Sequence, residues 1–232
     1  MKAWNMHTTI PIRPFVVLKL VTLALLAFVL LLLNGCHSGG VRGNGHIVTD
    51  TRQLPAFNEV EANGAYDVTW ASGEPGFSVT TDENLLPHIQ ARSEDGKLKI
   101  EWDKWLKGTR GIKIMITSPT LARVQLNGAV RFVGSNFSGP ELYLTANGAS
   151  RVALQGNVNA VSAEMNGASR LDAESLVTRA MELSISGAGK AEVNVSEVLK
   201  VDISGAGKVV YTGNPKTVDK SISGAGSVKR RE

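Results

Sequence analysis

Asn147-Gly148-Ala149 is one copy of a triplet that recurs along the chain with Asn or Ser in its first position. The copies begin at Asn63, Asn127, Asn147, Asn166, Ser186, Ser204 and Ser223. From residue 127 onward the intervals are 20, 19, 20, 18 and 19 residues, which is the spacing of a structural repeat. The architecture of the larger part of the chain is therefore that of the repeat.

Short runs that alternate apolar and polar residues flank each triplet. Residues 181–185 before one copy and residues 191–195 after it both show this alternation, which predicts strands with one buried face. The glycine suits a turn with positive φ, and the Asn or Ser before it can bond to the local backbone. No repeat unit holds a helix-length stretch with 3.6-residue periodicity, and the leucine signature and return segment of a leucine-rich repeat are missing. Propeller blades need about 40 residues each, twice the repeat length found here.

The remaining all-β architecture is a parallel β-helix, a solenoid in which about 19 residues form one coil of three short strands. One coil cannot bury its own apolar face, whereas stacked coils enclose a continuous core. The aligned triplets predict an inward column of Ala146, Met165, Ile185, Ile203 and Ile222. A left-handed coil of hexapeptide repeats remains an alternative.

The repeat is irregular before residue 126. Residues 46–125 are expected to form irregular first coils with an insertion, and residues 126–232 the regular coils of the same domain. Within the insertion, Asp95-Gly96 predicts a tight hairpin turn, residues 83–87 a short helical turn, and residues 112–117 a strand.

The first 45 residues read as a targeting segment. Residues 20–33 are uninterruptedly apolar, too short for a membrane span but suited to a signal peptide over residues 1–35. Cys36, the only cysteine, stands where a bacterial lipobox is lipidated, and residues 36–45 then form a flexible tether. A plain transmembrane anchor is the alternative. The predicted location is the bacterial envelope, lipid-anchored, on an outer membrane and facing the periplasm or the surface.

The charge balance argues against a nucleic-acid partner. The net charge of +4 includes three bases and no acid within residues 1–35, so the rest of the chain is nearly neutral. A single cysteine also excludes an internal disulfide and a cysteine-based zinc site.

Several segments together resemble one known family, the GIN-domain family. They are the lipobox, Gly43-Asn44-Gly45, residues 57–67, 83–87 and 96–100, and the Asn/Ser-Gly-Ala series. The family is described as an autotransporter-adhesin head and occurs in bacterial envelope lipoproteins. The resemblance implies a right-handed β-helix without known catalytic residues, and it covers residues 43–228.

The residue types that usually form catalytic and metal sites are scattered along this sequence. His7, His37, His46 and His88 lack the spacing of a metal site or a catalytic triad, so neither a metal nor a cofactor is predicted. Outward acids such as Asp172, Glu182, Glu192 and Asp202 are expected in different columns, which disfavours a lyase-like site. A polysaccharide-processing enzyme and a purely structural envelope component remain the alternatives to a non-catalytic adhesin.

One candidate binding feature follows the triplets. Two residues after each alanine stand Arg131, Arg151, Arg170, Lys190 and Lys208. If the coils stack in register, these side chains form a basic column about 20 Å long that suits an anionic polysaccharide or lipopolysaccharide phosphates. The alternative is a solubilising position in which the bases pair with Asp172 or Glu192. Trp70, Trp102 and Trp105 are expected either to stack on sugars or to plug one end of the core.

Overall fold

The computed structural model describes residues 40–231, which form β-strands and one short 3₁₀ helix. The strands are β1 Val41–Arg42, β2 Ile47–Arg52, β3 Glu59–Gly64, β4 Asp67–Ser72, β5 Gly76–Asp82, β6 Ile89–Glu94, β7 Lys97–Trp102, β8 Leu106–Lys107, β9 Lys113–Ser118, β10 Arg123–Gly128, β11 Arg131–Gly148, β12 Arg151–Gly167, β13 Arg170–Gly187, β14 Lys190–Gly205, β15 Lys208–Thr212, β16 Thr217–Gly224 and β17 Ser227–Arg230. The 3₁₀ helix spans Glu83–His88. The predicted signal peptide, Cys36 and the first part of the tether lie outside the described residues.

The predicted parallel β-solenoid is confirmed. Each of β11, β12, β13 and β14 runs through a whole coil of 16 to 18 residues and pairs in parallel with the next. The pairing of β11 with β12 is made in three stretches, 131–134, 137–139 and 141–148, which are the three short strands expected per coil. The right-handed sense of the coil stays a prediction.

The glycine of each triplet is required by two constraints. Gly148 and Gly167 have φ values of 99° and 96°, in the region that favours glycine. A Cβ on Gly148 would also lie 2.6 Å from the carbonyl oxygen of Gly128 in the coil before it. The turns therefore stack closely only because each coil places a glycine there.

The predicted inward column is aligned residue for residue. Ala146 pairs with Met165, Met165 with Ile185, Ile185 with Ile203, and Ile203 with Ile222. The first four are buried, because a coil covers each of them on both sides. Ile222 is 42% exposed, since it belongs to the last strand on its side of the described stack. Ile222 therefore keeps the predicted inward register, but it is not buried because no further strand covers it within the described residues.

The first residues of the triplets do more than shape the turn. The side-chain amide nitrogen of each asparagine donates to the side-chain oxygen Oδ1 of the one before: Asn127 to Asn63 at 2.6 Å, Asn147 to Asn127 at 2.8 Å, and Asn166 to Asn147 at 2.9 Å. These bonds run from coil to coil, whereas the sequence suggested bonds to the local backbone. The serines at 186, 204 and 223 continue the column with shorter side chains.

The irregular N-terminal part contains the predicted insertion. β6 and β7 form an antiparallel hairpin whose turn residues, Asp95 and Gly96, have φ values of 49° and 78°. The predicted helical turn is the 3₁₀ helix, and the strand predicted at 112–117 is β9. β5 is antiparallel to both β9 and β2, so the sheet is mixed only in this part.

Two faces of the solenoid carry candidate binding sites, and they are called the basic face and the motif face. The basic face is the strand series β2, β5, β9, β4, the starts of β11 to β14, then β15 and β17. The motif face is the series β6, β7, β3, β10, the ends of β11 to β14, then β16. Each face presents alternate residues of its strands to the outside.

The second half of the predicted flexible tether is not a tether. β1 pairs with β8, and the backbone N–H of Gly45 donates to the buried carboxylate of Asp82 at 2.6 Å. Asp82 also accepts two bonds from Thr109, and these contacts lower the pKa of Asp82. Residues 41–45 are therefore part of the domain. Across residues 40–231, the model contains no helix with the length and apolar character to span a membrane.

Candidate binding surface on the basic face

The five predicted basic residues stand in one column. Arg131 pairs with Arg151, Arg151 with Arg170, Arg170 with Lys190, and Lys190 with Lys208, each on an adjacent strand. Because adjacent strands lie about 4.8 Å apart, the column extends roughly 20 Å along the solenoid. The predicted register is confirmed. Whether the column binds a ligand stays a prediction.

The column extends two strands beyond Arg131, to an additional basic residue, Lys113. Asp67 pairs with Arg131 on one side and with Lys113 on the other. The Nε of Arg131 lies 3.6 Å from a carboxylate oxygen of Asp67. The repeat did not reveal Lys113, because β9 carries no Asn/Ser-Gly-Ala triplet.

Glu192 neutralises part of the positive charge near the C-terminal end of the basic column. It accepts hydrogen bonds from Lys190 at 2.5 Å, Arg231 at 2.7 Å and Arg170 at 3.2 Å. The bonds from Lys190 and Arg231 lower the pKa of Glu192 to about 2. Glu192 was expected to point to solvent, and it does lie on the outside of the sheet. However, only 8% of it is exposed because these cations cover it.

The charges on this face are unevenly compensated. Neither Arg151 nor Lys208 makes an ion pair within residues 40–231. Counted over its two outward columns, from β9 to β17, the face carries four more basic than acidic side chains. Residues 36–232 carry 22 basic and 21 acidic side chains in all, so the rest of this part of the chain is net negative and the positive charge is concentrated on this face.

Two shallow hollows join along the face. One of about 430 Å³ lies between β5, β9, β4 and β11, and its lining includes Met115. The other, of about 320 Å³, is lined by residues that include Arg151 and Ala153. Both include Arg131 and Val133, so they form one groove. The second outward column of this face, with Met115, Thr69, Val133 and Ala153, lines the groove beside the basic column.

The strand register separates only some of the outward acids from one another. Asp172 and Glu192 pair in one column, which corrects the expectation that the outward acids fall in different columns. Glu182 and Asp202 do lie in different columns, since Glu182 pairs with Lys200 and Asp202 with Ser184. With Glu192 held by three cations, this adjacency does not favour the enzyme alternative.

The three tryptophans have different surroundings. Trp70 is buried, with its ring centroid 4.4 Å from that of Phe137 and its indole N–H bonded to Ser118. Sugar stacking is therefore wrong for Trp70, which packs in the core. Trp102 lies against Tyr66 at 5.0 Å and Trp105 at 5.5 Å, and Trp105 is 61% exposed. Sugar contact at Trp102 and Trp105 stays untested.

The histidines are engaged separately. His88 bonds to Asp103 at 2.9 Å, and His46 lies 4.0 Å from Glu83. Among residues 40–231, no three His, Cys, Asp or Glu side chains are grouped so that they could hold a metal ion.

The family model described as "Putative auto-transporter adhesin, head GIN domain" matches residues 56–215. The chain belongs to this GIN-domain family. The match is narrower than residues 43–228 and leaves out β16, which carries the triplet at Ser223, and β17, but it confirms the family that the triplets indicated.

Two solved structures show the same fold. A "putative adhesin" from Bacteroides fragilis aligns with a TM-score of 0.70 and 21% identity, over 83% of this chain and 100% of that one. A "putative lipid binding protein" from Parabacteroides distasonis aligns with a TM-score of 0.53 and 21% identity, over 83% and 99%. At these identities the likeness to this GIN-domain protein concerns the fold. No curated protein sequence matches the chain.

Proposed function

We propose that this GIN-domain protein is a non-catalytic adhesin of the bacterial envelope whose basic face binds a linear anionic polymer. The observation that carries the proposal is the register of Arg131, Arg151, Arg170, Lys190 and Lys208 on adjacent strands. A polymer with regularly spaced carboxylates or phosphates can meet such a column at several points at once. The ligand class is therefore an acidic polysaccharide or the phosphates of a lipopolysaccharide.

The proposed location in the cell envelope rests on the N-terminal segment of the sequence. The apolar segment and the lipobox-like Cys36 support export and lipid anchoring to an outer membrane. Two or three acyl chains would hold the protein firmly, because each buried CH₂ contributes about 0.8 kcal/mol. The adhesin description of the family fits an anchored domain that displays a repetitive surface.

The first test is retention of the purified full chain on immobilised polygalacturonate, eluted with rising salt. The informative variant is the double substitution Arg151→Gln and Lys208→Gln, because the structure leaves both residues without an ion pair. Losing two solvent-exposed ionic contacts is expected to weaken binding about three- to tenfold and to lower the eluting salt concentration. Arg170 and Lys190 are weaker choices, since Glu192 already holds them.

The matched control is Arg92→Gln with Lys200→Gln, which removes the same charge from outward positions of the motif face, where neither residue makes an ion pair within residues 40–231. It is expected to elute with the unmodified protein. Equal retention of all three proteins would contradict a role for the basic face. Shortening of the polymer during incubation would contradict the non-catalytic assignment.

A further inference from the structure

A further hollow, of about 370 Å³, lies on the motif face and is separate from the groove on the basic face. Tyr143 forms one wall of this hollow, and its lining also includes Ser162, Ala160, Ala180, Glu182 and Lys200. These residues come from four successive coils, and no motif in the sequence singled them out. Their positions relative to one another follow only from the strand register.

The Tyr143 ring is held in place from one side. The guanidinium of Arg123 lies 4.7 Å from the ring centroid, and the phenol donates a hydrogen bond to Glu141 at 2.7 Å. That carboxylate raises the pKa of the Tyr143 phenol, which keeps it a donor. Arg123 lies on the coil before Tyr143, whereas the hollow lies over the coils that follow Tyr143. The face of the tyrosine ring opposite Arg123 therefore borders the hollow. Tyr143 is 38% exposed.

The hollow has the width of one sugar ring. Tyr143 pairs with Ser162 and Ser162 with Glu182, so the tyrosine and the glutamate stand two strand spacings apart, or about 10 Å. The residue between them is a serine, and the neighbouring column has alanines at 160 and 180. A six-membered ring can therefore lie over the serine, between the aromatic face and the carboxylate.

The charges around the hollow favour a cation. Glu141 and Glu182 contribute two carboxylates, against the single ammonium of Lys200. Glu182 makes no ion pair within the described part of the chain. The face of an aromatic ring attracts both cations and polarised C–H groups. Neutral or cationic ligands are thus preferred here, in contrast to the basic face.

We propose that this hollow binds a hexosamine unit with a free amino group. The sugar ring stacks on the open face of Tyr143, its ammonium group is placed near Glu182, and Ser162 bonds to a ring hydroxyl. The site does not rest on the proposed function, because it uses another face and a ligand of opposite charge.

The test is calorimetric titration of the purified full chain with the β-1,4-linked glucosamine tetramer. Tyr143→Leu removes the ring while keeping an apolar side chain, and it is expected to weaken binding about tenfold. Tyr143→Phe retains the ring and is expected to bind within about threefold of the unmodified protein. Glu182→Gln should weaken binding at least threefold, as should replacement of the tetramer by its N-acetylated form.

Two controls separate this site from other effects. Glu164→Gln removes an exposed carboxylate of the motif face outside the hollow and should leave the affinity unchanged. Arg151→Gln with Lys208→Gln should also leave it unchanged, whatever that variant does to polygalacturonate retention. Absence of binding at about 10 mM tetramer, tenfold above a millimolar Kd, would overturn the proposal. Equal affinity of Tyr143→Leu and the unmodified protein, or equal affinity for the acetylated tetramer, would also overturn it.

Discussion

The two ends of the solenoid bury their apolar residues to very different extents. At the N-terminal end, Trp70, Phe77 and Leu85 are each at most 1% exposed. Strands β2 and β5 and the 3₁₀ helix, all from the irregular part, add to the stack there. At the C-terminal end, β16 pairs only with β14, and Ile222 is 42% exposed.

The difference shows what a coil needs from its neighbours. An internal coil is covered on both sides by similar coils, whereas an end coil needs residues that the repeat does not supply. The N-terminal part supplies them by breaking the repeat. The C-terminal end has instead the contacts of Arg231, which reaches back to Glu174 and Glu192 in earlier coils.

The largest contrast is expected from truncating an apolar side chain at each end. Trp70→Ala should lower the free energy of unfolding by about 3–5 kcal/mol, because it leaves a cavity beside Phe137 and removes the bond to Ser118. Ile222→Ala should cost less than about 1 kcal/mol, since much of that side chain is already in water. Urea unfolding of the full chain measures both. A Trp70→Ala cost as small as that of Ile222→Ala would contradict the assignment of a sealed end.

A smaller effect is expected from the ionic contacts of the C-terminal end. Glu192→Gln should cost about 1–2 kcal/mol at neutral pH, because it leaves Arg170, Lys190 and Arg231 without their shared carboxylate. The pKa of Glu192 is lowered from 4.5 to about 2, so its contribution is present above about pH 5. It is then lost as the pH falls through 4.5 towards 2.

Hydrogen exchange along the chain checks this dependence. Between pH 5 and pH 3 the amides of β15 and β17, after correction for the intrinsic rate, should lose protection more than those of β3 and β10. In Glu192→Gln the additional loss should disappear. Uniform loss of protection in both groups would show that Glu192 does not stabilise this end.

The smallest effect concerns the triplet column. Asn147→Ala should cost about 0.5–1 kcal/mol, because it breaks the bonds with both Asn127 and Asn166, which are partly or fully exposed to solvent. Ser204→Ala, in the same column of a later coil, should cost less than about 0.5 kcal/mol. Thermal unfolding midpoints of the two variants make the comparison. Equal shifts would mean that the amide bonds between coils contribute nothing beyond the turn.

Several features could be predicted because the repeat makes them local. The inward column from Ala146 to Ile203 and the basic column from Arg131 to Lys208 both follow from counting residues after a triplet. The Asp95-Gly96 hairpin follows from the positive φ that its two turn residues tolerate. In each case the chemistry that decides the structure lies within a few residues.

Other features could not be predicted, because their partners are distant in the chain. Glu192 is covered by Arg231, 39 residues away, and Gly45 is bound by Asp82 across 37 residues. Trp70 is a core residue because Phe137 and Ser118 come beside it. Aligning the coils at their triplets places Tyr143, Ser162 and Glu182 in one column, but it does not show the hollow that these residues line.

The sequence alone determined the stacking of coils, the place of the glycine turns and the alignment of the five basic residues. A period of about 19 residues allows one register that buries the apolar set, and that register also aligns the outward positions. Only the tertiary structure decided which charges remain free, which aromatic rings are exposed and how the ends are covered. Those outcomes depend on side chains from different coils meeting in space, and no local pattern in the chain encodes such meetings.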